Sequence, residues 1–239
     1  VKSLARLLVN FSCLLSVLGI SSCAPQTPVR PATGHELAER VQAKPDLAVL
    51  FVGNSYSFGV PKAFSKLAAS HGKNVRTGHA TYGGWTLGRH CENEATLRKI
   101  RDGRWDVVVI QEQSEIPALP PRKRATTMFP PLRRLVAVVR EQDAVPILYQ
   151  TWGRRDGDRK IPGDDFHAMN QRLREGYQAA ARDSGALVVV PVGDAWETEV
   201  KAGRGNALFM DDGSHPTPLG NQLTAKTFYE AIYRESAGD

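Results

Sequence analysis

Two short stretches carry residues that could do nucleophilic chemistry. The first is Gly53-Asn54-Ser55-Tyr56-Ser57, directly after the apolar run Leu47 to Val52, and the second is Asp212-Gly213-Ser214-His215-Pro216, near the end of the chain. A serine just past a buried strand, with Gly53 before it and a helix soon after, sits on a tight turn that can point its hydroxyl into a cleft. The second stretch offers an aspartate and a histidine three residues apart, followed by a proline that helps fix the chain direction. Together they supply a nucleophile, Ser55, a general base, His215, and a carboxylate to orient it, Asp212. This chemistry requires a fold that brings the two stretches together.

The rest of the chain predicts such a fold. Leu47 to Val52, Trp105 to Ile110 and Val145 to Tyr149 are continuous apolar runs, the pattern of parallel strands covered on both faces. Val75 to Ala80 is a weaker strand and Leu187 to Val192 a short one. Helical stripes alternate with them. Pro61 starts one helix, with Phe64, Leu67 and Ala68 on one face and Gly72 as its stop. A polar helix runs to about Ile100; Leu132, Leu135, Val136 and Val139 mark another; Phe166, Met169, Leu173, Tyr177 and Ala180 a further one. A helix near Ala195 to Lys201 and a final one containing Ala225, Phe228 and Ile232 complete the pattern. The alternation predicts an α/β protein, a three-layer α/β/α sandwich on a mostly parallel five-stranded sheet, with its cleft at the carboxyl ends of the strands.

Composition agrees with one globular domain: 239 residues, 41% apolar and 8% aromatic, with a formal charge of +6. The beginning of the chain reads differently. Lys2 and Arg6 precede an apolar run from Leu7 to Ile20 that ends Ile20-Ser21-Ser22-Cys23. This resembles a bacterial lipoprotein signal with its lipobox, which implies removal of residues 1–22, lipid attachment to Cys23 and anchoring at a membrane of the cell envelope. An ordinary secretory signal is the alternative, and both export the protein. Removal of residues 1–22 leaves a charge of +4, a modest surplus. Residues 23–45, with Pro25, Pro28, Pro31 and Pro45, read as a lipidated cysteine and tether with a short helix around His35 to Val41, so that the catalytic domain spans 46–239. Cys91 is then the one cysteine of the domain, a small buried hydrophobe rather than a reactive thiol.

With these residues in place, the chain resembles the SGNH (GDSL-type) hydrolases over about residues 46–235, in a flavodoxin-like arrangement. The family's first block matches Gly53-Asn54-Ser55, with Asn54 where the family has Asp, and its last block, Asp-x-x-His, matches Asp212 to His215. The resemblance implies a Ser55-His215-Asp212 triad acting through an acyl-enzyme. The second block supplies an oxyanion-binding glycine, matched by Gly84 of Gly84-Trp85-Thr86. The third block, Gly-x-Asn-Asp in the family, is replaced by Gln111-Glu112-Gln113-Ser114. Strand alternation puts Gln111 and Gln113 on one side and leaves either able to present an amide, and alignment to the family Asn favours Gln113. The oxyanion hole implied is therefore the amides of Ser55 and Gly84 with the side chain of Gln113. The scheme calls for no metal and no cofactor.

Other residues carry weaker signals. Ser57 and Ser114 read as turn or capping hydroxyls, and His35, His71, His79, His90 and His167 lack metal-ligand spacing. Trp85 and Trp152 lie in loops near the expected cleft, where an aromatic face could bind a sugar or acyl group. Arg122-Lys123-Arg124 and Arg154-Arg155 read as solvated faces, and the aromatic interleaving that suits nucleic acid is absent. The leading expectation is an exported serine esterase on a small or glycan-linked ester. An O-acyltransferase on envelope glycan and a catalytically silent lipoprotein binding a glycan or partner are the alternatives. The sequence carries no signal for oligomeric state.

Overall fold

The computed structural model describes residues 33–234. The expected signal segment and Cys23 lie outside the described residues. The strands β1 (Asp46–Gly53), β2 (Asn74–Thr81), β3 (Val107–Ile110), β4 (Val145–Tyr149) and β5 (Val188–Val190) form one parallel sheet in the order β2-β1-β3-β4-β5. Among the described residues the helices are α1 (Thr33–Ala43), α2 (Val60–Ser70), α3 (Leu87–Glu92), α4 (Glu94–Asp102), α5 (Pro121–Thr127), α6 (Phe129–Glu141), α7 (Phe166–Asp183), α8 (Val192–Lys201) and α9 (Pro218–Tyr233).

The period of two in β1 divides the core. Leu47, Val49 and Phe51 join residues of α1, α2, α8 and α9 on one face. Ala48, Leu50 and Val52 join residues of α3, α4, α6 and α7 on the other. Both sides of the central strands are therefore apolar, which is why the runs in the sequence are continuous rather than alternating. Cys91 is buried in the second cluster, its thiol donating to the Pro131 carbonyl at 3.2 Å.

Two expectations need correction. The tether predicted over 23–45 does not extend to Asp46, because α1 is packed onto the domain. Leu37 is buried in the core and Val41, four residues on, packs against it, so the folded body begins well before β1. Thr33 fixes the start of this helix, its hydroxyl donating to Ala186 O at 3.3 Å while accepting from Val188 N at 2.5 Å. The single polar helix expected up to Ile100 is two helices. Asn93 takes an extended backbone conformation between them and caps the second, its side chain accepting from Thr96 N at 2.8 Å.

The chain crosses from β2 over β1 to β3, so the loops after β1 and β3 diverge at their carboxyl ends and leave a crevice. The loop after β3 is held from behind by α7, where Gly176 lies against Pro117. An added Cβ at Gly176 would come within 1.9 Å of the Pro117 carbonyl oxygen. In an open helix, Gly→Ala gains about 1 kcal/mol of helix propensity. Here the overlap, at about 1–3 kcal/mol for overpacking, opposes that gain. Gly176→Ala is expected to lower the midpoint of urea unfolding at unchanged slope; a higher midpoint would mean that propensity wins and the contact is loose.

Candidate active site

Ser55 begins a 3-10 turn, Ser55–Ser57, at the end of β1. Asn54 caps it, its side-chain oxygen accepting from Tyr56 N at 3.1 Å. His215 sits on a turn before α9, where Phe209 and Pro216 form an antiparallel bridge and Met210 N donates to His215 O at 2.8 Å. Thr217 then caps α9, with Pro218 in its first turn. The turn brings the imidazole to the nucleophile: Ser55 Oγ lies 2.9 Å from His215 Nε2. On the other side of the ring, His215 Nδ1 lies 2.5 Å from Asp212 Oδ2.

The carboxylate can only accept, so Nδ1 donates to it and Nε2 is left to accept the Ser55 hydroxyl proton. Asp212 is further fixed by its own turn, Oδ1 accepting from Ser214 N at 2.8 Å and from His215 N at 2.9 Å. Partial burial raises the Asp212 pKa, but the hydrogen bonds from the His215 ring and from the two amides outweigh it and hold the carboxyl at about 2. Asp212 is thus ionised at neutral pH. Its negative charge stabilises an imidazolium once the proton arrives.

Behind this pair stands an aromatic stack. The Tyr56 ring lies 4.7 Å from Trp152 at an interplanar angle of 2°, and Trp152 lies 3.8 Å from Trp196 at 1°. Trp152 Nε1 donates to Ser214 O at 3.1 Å, and the Tyr56 hydroxyl lies 2.5 Å from Ser214 Oγ. The stack therefore clamps the residue next to His215 to the residue next to Ser55. This corrects the expectation for Trp152: it is wholly buried and cannot offer its face to a ligand. Trp85 is half-buried and stacks on Tyr82 at 4.1 Å, which leaves it at the loop surface.

The glycine turn lies beside the nucleophile. Gly84 has φ +70°, Trp85 N donates to Tyr82 O at 3.2 Å, and Asn54 Nδ2 donates to Trp85 O at 3.3 Å. Among the described residues, the amides of Ser55 and Gly84 have no acceptor. Gln113 is partly buried in the loop after β3. Its Oε1 accepts from Glu115 N at 2.8 Å and its Nε2 donates one proton to Ser114 Oγ at 3.3 Å, which leaves the second amide proton available.

Gln111 takes no part in that surface. It is fully buried, and its Oε1 accepts from Asn54 N at 2.9 Å and from Ser57 Oγ at 3.1 Å. Extended alternation would have placed it beside Gln113, but its side chain instead lies under the nucleophile turn. A Cβ at Gly53 would come within 2.4 Å of the same Oε1, so glycine is needed there for close approach. Ser57 is a turn hydroxyl, as expected. His90 is buried, with Nε2 donating to Gly53 O at 2.9 Å, and burial pulls its pKa down to about 4, so it braces the end of β1 as a neutral ring.

The arginines expected on solvated faces also brace the cleft. Arg154 Nη1 lies 2.7 Å from Glu115 Oε1, tying the loop after β4 to the loop after β3. Arg155 N donates to Gly213 O at 2.8 Å and its side chain to Asp211 O at 3.2 Å, both in the triad turn. Arg124 is buried, with Nη1 donating to Pro117 O at 3.3 Å.

No family model and no curated protein matches the chain. Solved structures do. A DUF4886 family protein from Bacteroides uniformis superposes with a TM-score of 0.71 at 21% identity, over 80% of this chain and 85% of that one. A candidate GDSL-like lipase from Parabacteroides merdae gives 0.59 at 18%, over 80% and 98%. An acetyl xylan esterase gives 0.58 at 14%, over 78% and 100%. The chain has the SGNH hydrolase fold. Within that fold, Ser55 and His215 occupy loops at the same end of the sheet, and the loop after β3 touches both the Ser55 turn, through Gln111, and α7, through Glu112 N and the Tyr177 hydroxyl.

The buried stack generates a test. Trp152→Ala removes three ring contacts and a hydrogen bond, and is expected to cost about 3–5 kcal/mol of unfolding free energy. A loss within about 0.5 kcal/mol in a denaturant titration, as for a surface position, would mean that Trp152 is not a packing element.

Proposed function

We propose that the protein is a serine esterase working through Ser55, His215 and Asp212. The observation that carries this reading is the unbroken hydrogen-bonded line from Ser55 Oγ to His215 to Asp212, at 2.9 and 2.5 Å. His215 Nε2 takes the hydroxyl proton as Ser55 Oγ attacks the ester carbonyl. Asp212 stabilises the imidazolium, which then gives its proton to the departing alkoxide. The resulting acyl-Ser55 is hydrolysed by water, activated by the same imidazole in a second round.

Negative charge on the tetrahedral oxygen falls to the free amides of Ser55 and Gly84 and to the remaining N–H of Gln113. The imidazole is a little over one-third exposed, so the site opens at the surface, which supports an ester carried on a polymer as well as a small one. Structural likeness to an acetyl xylan esterase supports O-acetyl groups on a glycan as the substrate class. The Ile20-Ser21-Ser22-Cys23 sequence supports export with lipid attachment at Cys23, which would place the activity at the cell envelope.

Turnover of a p-nitrophenyl ester panel tests the reaction. Ser55→Ala should reduce it to background, and Asp212→Asn should lower kcat by about 10⁴, the size of loss seen when a triad carboxylate becomes an amide. Wild-type rates that survive Ser55→Ala would remove Ser55 from the reaction. Gln113→Leu tests the third oxyanion donor separately: kcat is expected to fall about 10²–10³ with little change in KM. A kcat within threefold of wild type would confine the hole to the two backbone amides.

A further inference from the structure

Glu112 is a glutamate in the middle of the third block, and the reaction above does not use it. It is 1% exposed. Its Oε1 accepts from Leu87 N at 3.0 Å and from Gln113 N at 2.7 Å. Leu87 is the first residue of α3, directly after the Gly84-Trp85-Thr86 turn, and Gln113 belongs to the loop after β3. One carboxyl oxygen thus joins the two loops that supply oxyanion donors other than the Ser55 amide. The Glu112 amide donates to the Tyr177 hydroxyl at 3.3 Å, which fixes its backbone to α7. Its second oxygen, Oε2, is buried and has no hydrogen-bond partner among the described residues.

That asymmetry decides the protonation state. Both donors converge on Oε1, so an ionised carboxylate would leave charge on a buried oxygen to which none of the described residues donates, the arrangement that burial penalises most. A proton on Oε2 removes the charge and leaves Oε1 free to accept both amides. We infer that Glu112, in its neutral form, is the positioning residue that holds the two oxyanion-hole loops in register, and that losing its proton loosens them. The titratable groups facing it are the Tyr177 hydroxyl from α7 and the Cys91 thiol from α3. Burial pushes both up, so they stay neutral and supply no compensating charge. Arg134 and Glu92, beyond Cys91, are opposite in sign. Burial moves the Glu112 carboxyl up to about 7, with the Gln113 and Leu87 amides working against the shift.

The sign follows from the raised value. Between the ordinary glutamate range and about 7 the folded chain holds a proton that the unfolded chain has lost, so stability falls as pH rises through that window. Above it the loss is complete.

The inference uses the esterase reading only for its kinetic readout, and the experiment has a second arm that does not. With p-nitrophenyl acetate, wild-type kcat is expected to fall at least fivefold between pH 6.5 and 8.5. Glu112→Gln, which keeps the accepting oxygen and cannot ionise, should stay within threefold of wild type at pH 6.5 and lack that alkaline fall. Glu112→Ala should lose at least tenfold in kcat with KM changed less than twofold. In the second arm, hydrogen exchange on the full chain at pH 6.5 should quicken in both segments 83–88 and 111–115 of Glu112→Ala, and in neither segment of Glu112→Gln. The difference in Tm between Glu112→Gln and wild type should grow as pH rises to about 7 and then level off.

An alkaline fall retained by Glu112→Gln, or exchange in Glu112→Ala that quickens only in 111–115, would overturn the inference. Absence of any wild-type turnover would defeat the esterase reading instead, and the exchange and Tm arms would still decide whether Glu112 clamps the two loops.

Discussion

The 2.9 Å contact between Ser55 Oγ and His215 Nε2 spans 160 residues of sequence, and the arrangement of the cleft depends on it. Neither residue can reach the other by local structure. Each is delivered by a short, stiff turn at the same end of the sheet, one after β1 and one before α9. A serine hydroxyl is a weak nucleophile unless a base stands at hydrogen-bonding distance, so an ångström of slack would part this pair without unfolding the protein. The molecule meets that demand by fixing both turns from behind. Gln111 and Asn54 hold the nucleophile turn, while the Tyr56-Trp152-Trp196 stack and Arg155 hold the histidine turn.

The third block explains how much of this rigidity is polar. In Gln111-Glu112-Gln113, consecutive side chains serve different loops. The first secures Asn54 and Ser57, the second secures Leu87 and Gln113, and the third lies at the cleft. Buried amides and carboxyls are costly unless satisfied, and when satisfied they specify a single geometry more sharply than apolar packing does. Where the SGNH pattern has Gly-x-Asn-Asp, this chain has a hydrogen-bonding hub. That hub lies beside the Ser55-His215-Asp212 line and takes no part in it.

That Ser55, His215 and Asp212 would meet was legible in the sequence because each belongs to a short segment whose local rules are strong: a strand end with glycine, and a turn closed by proline. The strands were legible for a similar reason, since burial on both faces leaves continuous apolar runs. Trp152 was not legible. A tryptophan in a loop reads the same whether it faces a cleft or a core, and only the flanking Tyr56 and Trp196, distant in sequence, decide the matter. Arg154, Arg155 and Arg124 misled for the converse reason: charge suggests solvent, whereas carbonyls and Glu115 capture these guanidinium groups. Gln111 was placed beside Gln113 by strand alternation, a rule that does not hold past the end of β3. The short helix around His35 to Val41 was legible, but its packing onto the domain through Leu37 and Val41 was not, because the proline-rich surroundings read as a tether.

The central claim is that Ser55 is a serine activated by His215 in an accessible cleft. Reaction of the full chain with a fluorophosphonate probe, followed by mass mapping of the labelled peptide, tests nucleophile, activation and access together. The account predicts a single covalent adduct on Ser55 that forms in the wild type and is lost in His215→Ala. An unlabelled wild-type protein, or a label on another serine that persists in His215→Ala, would contradict it.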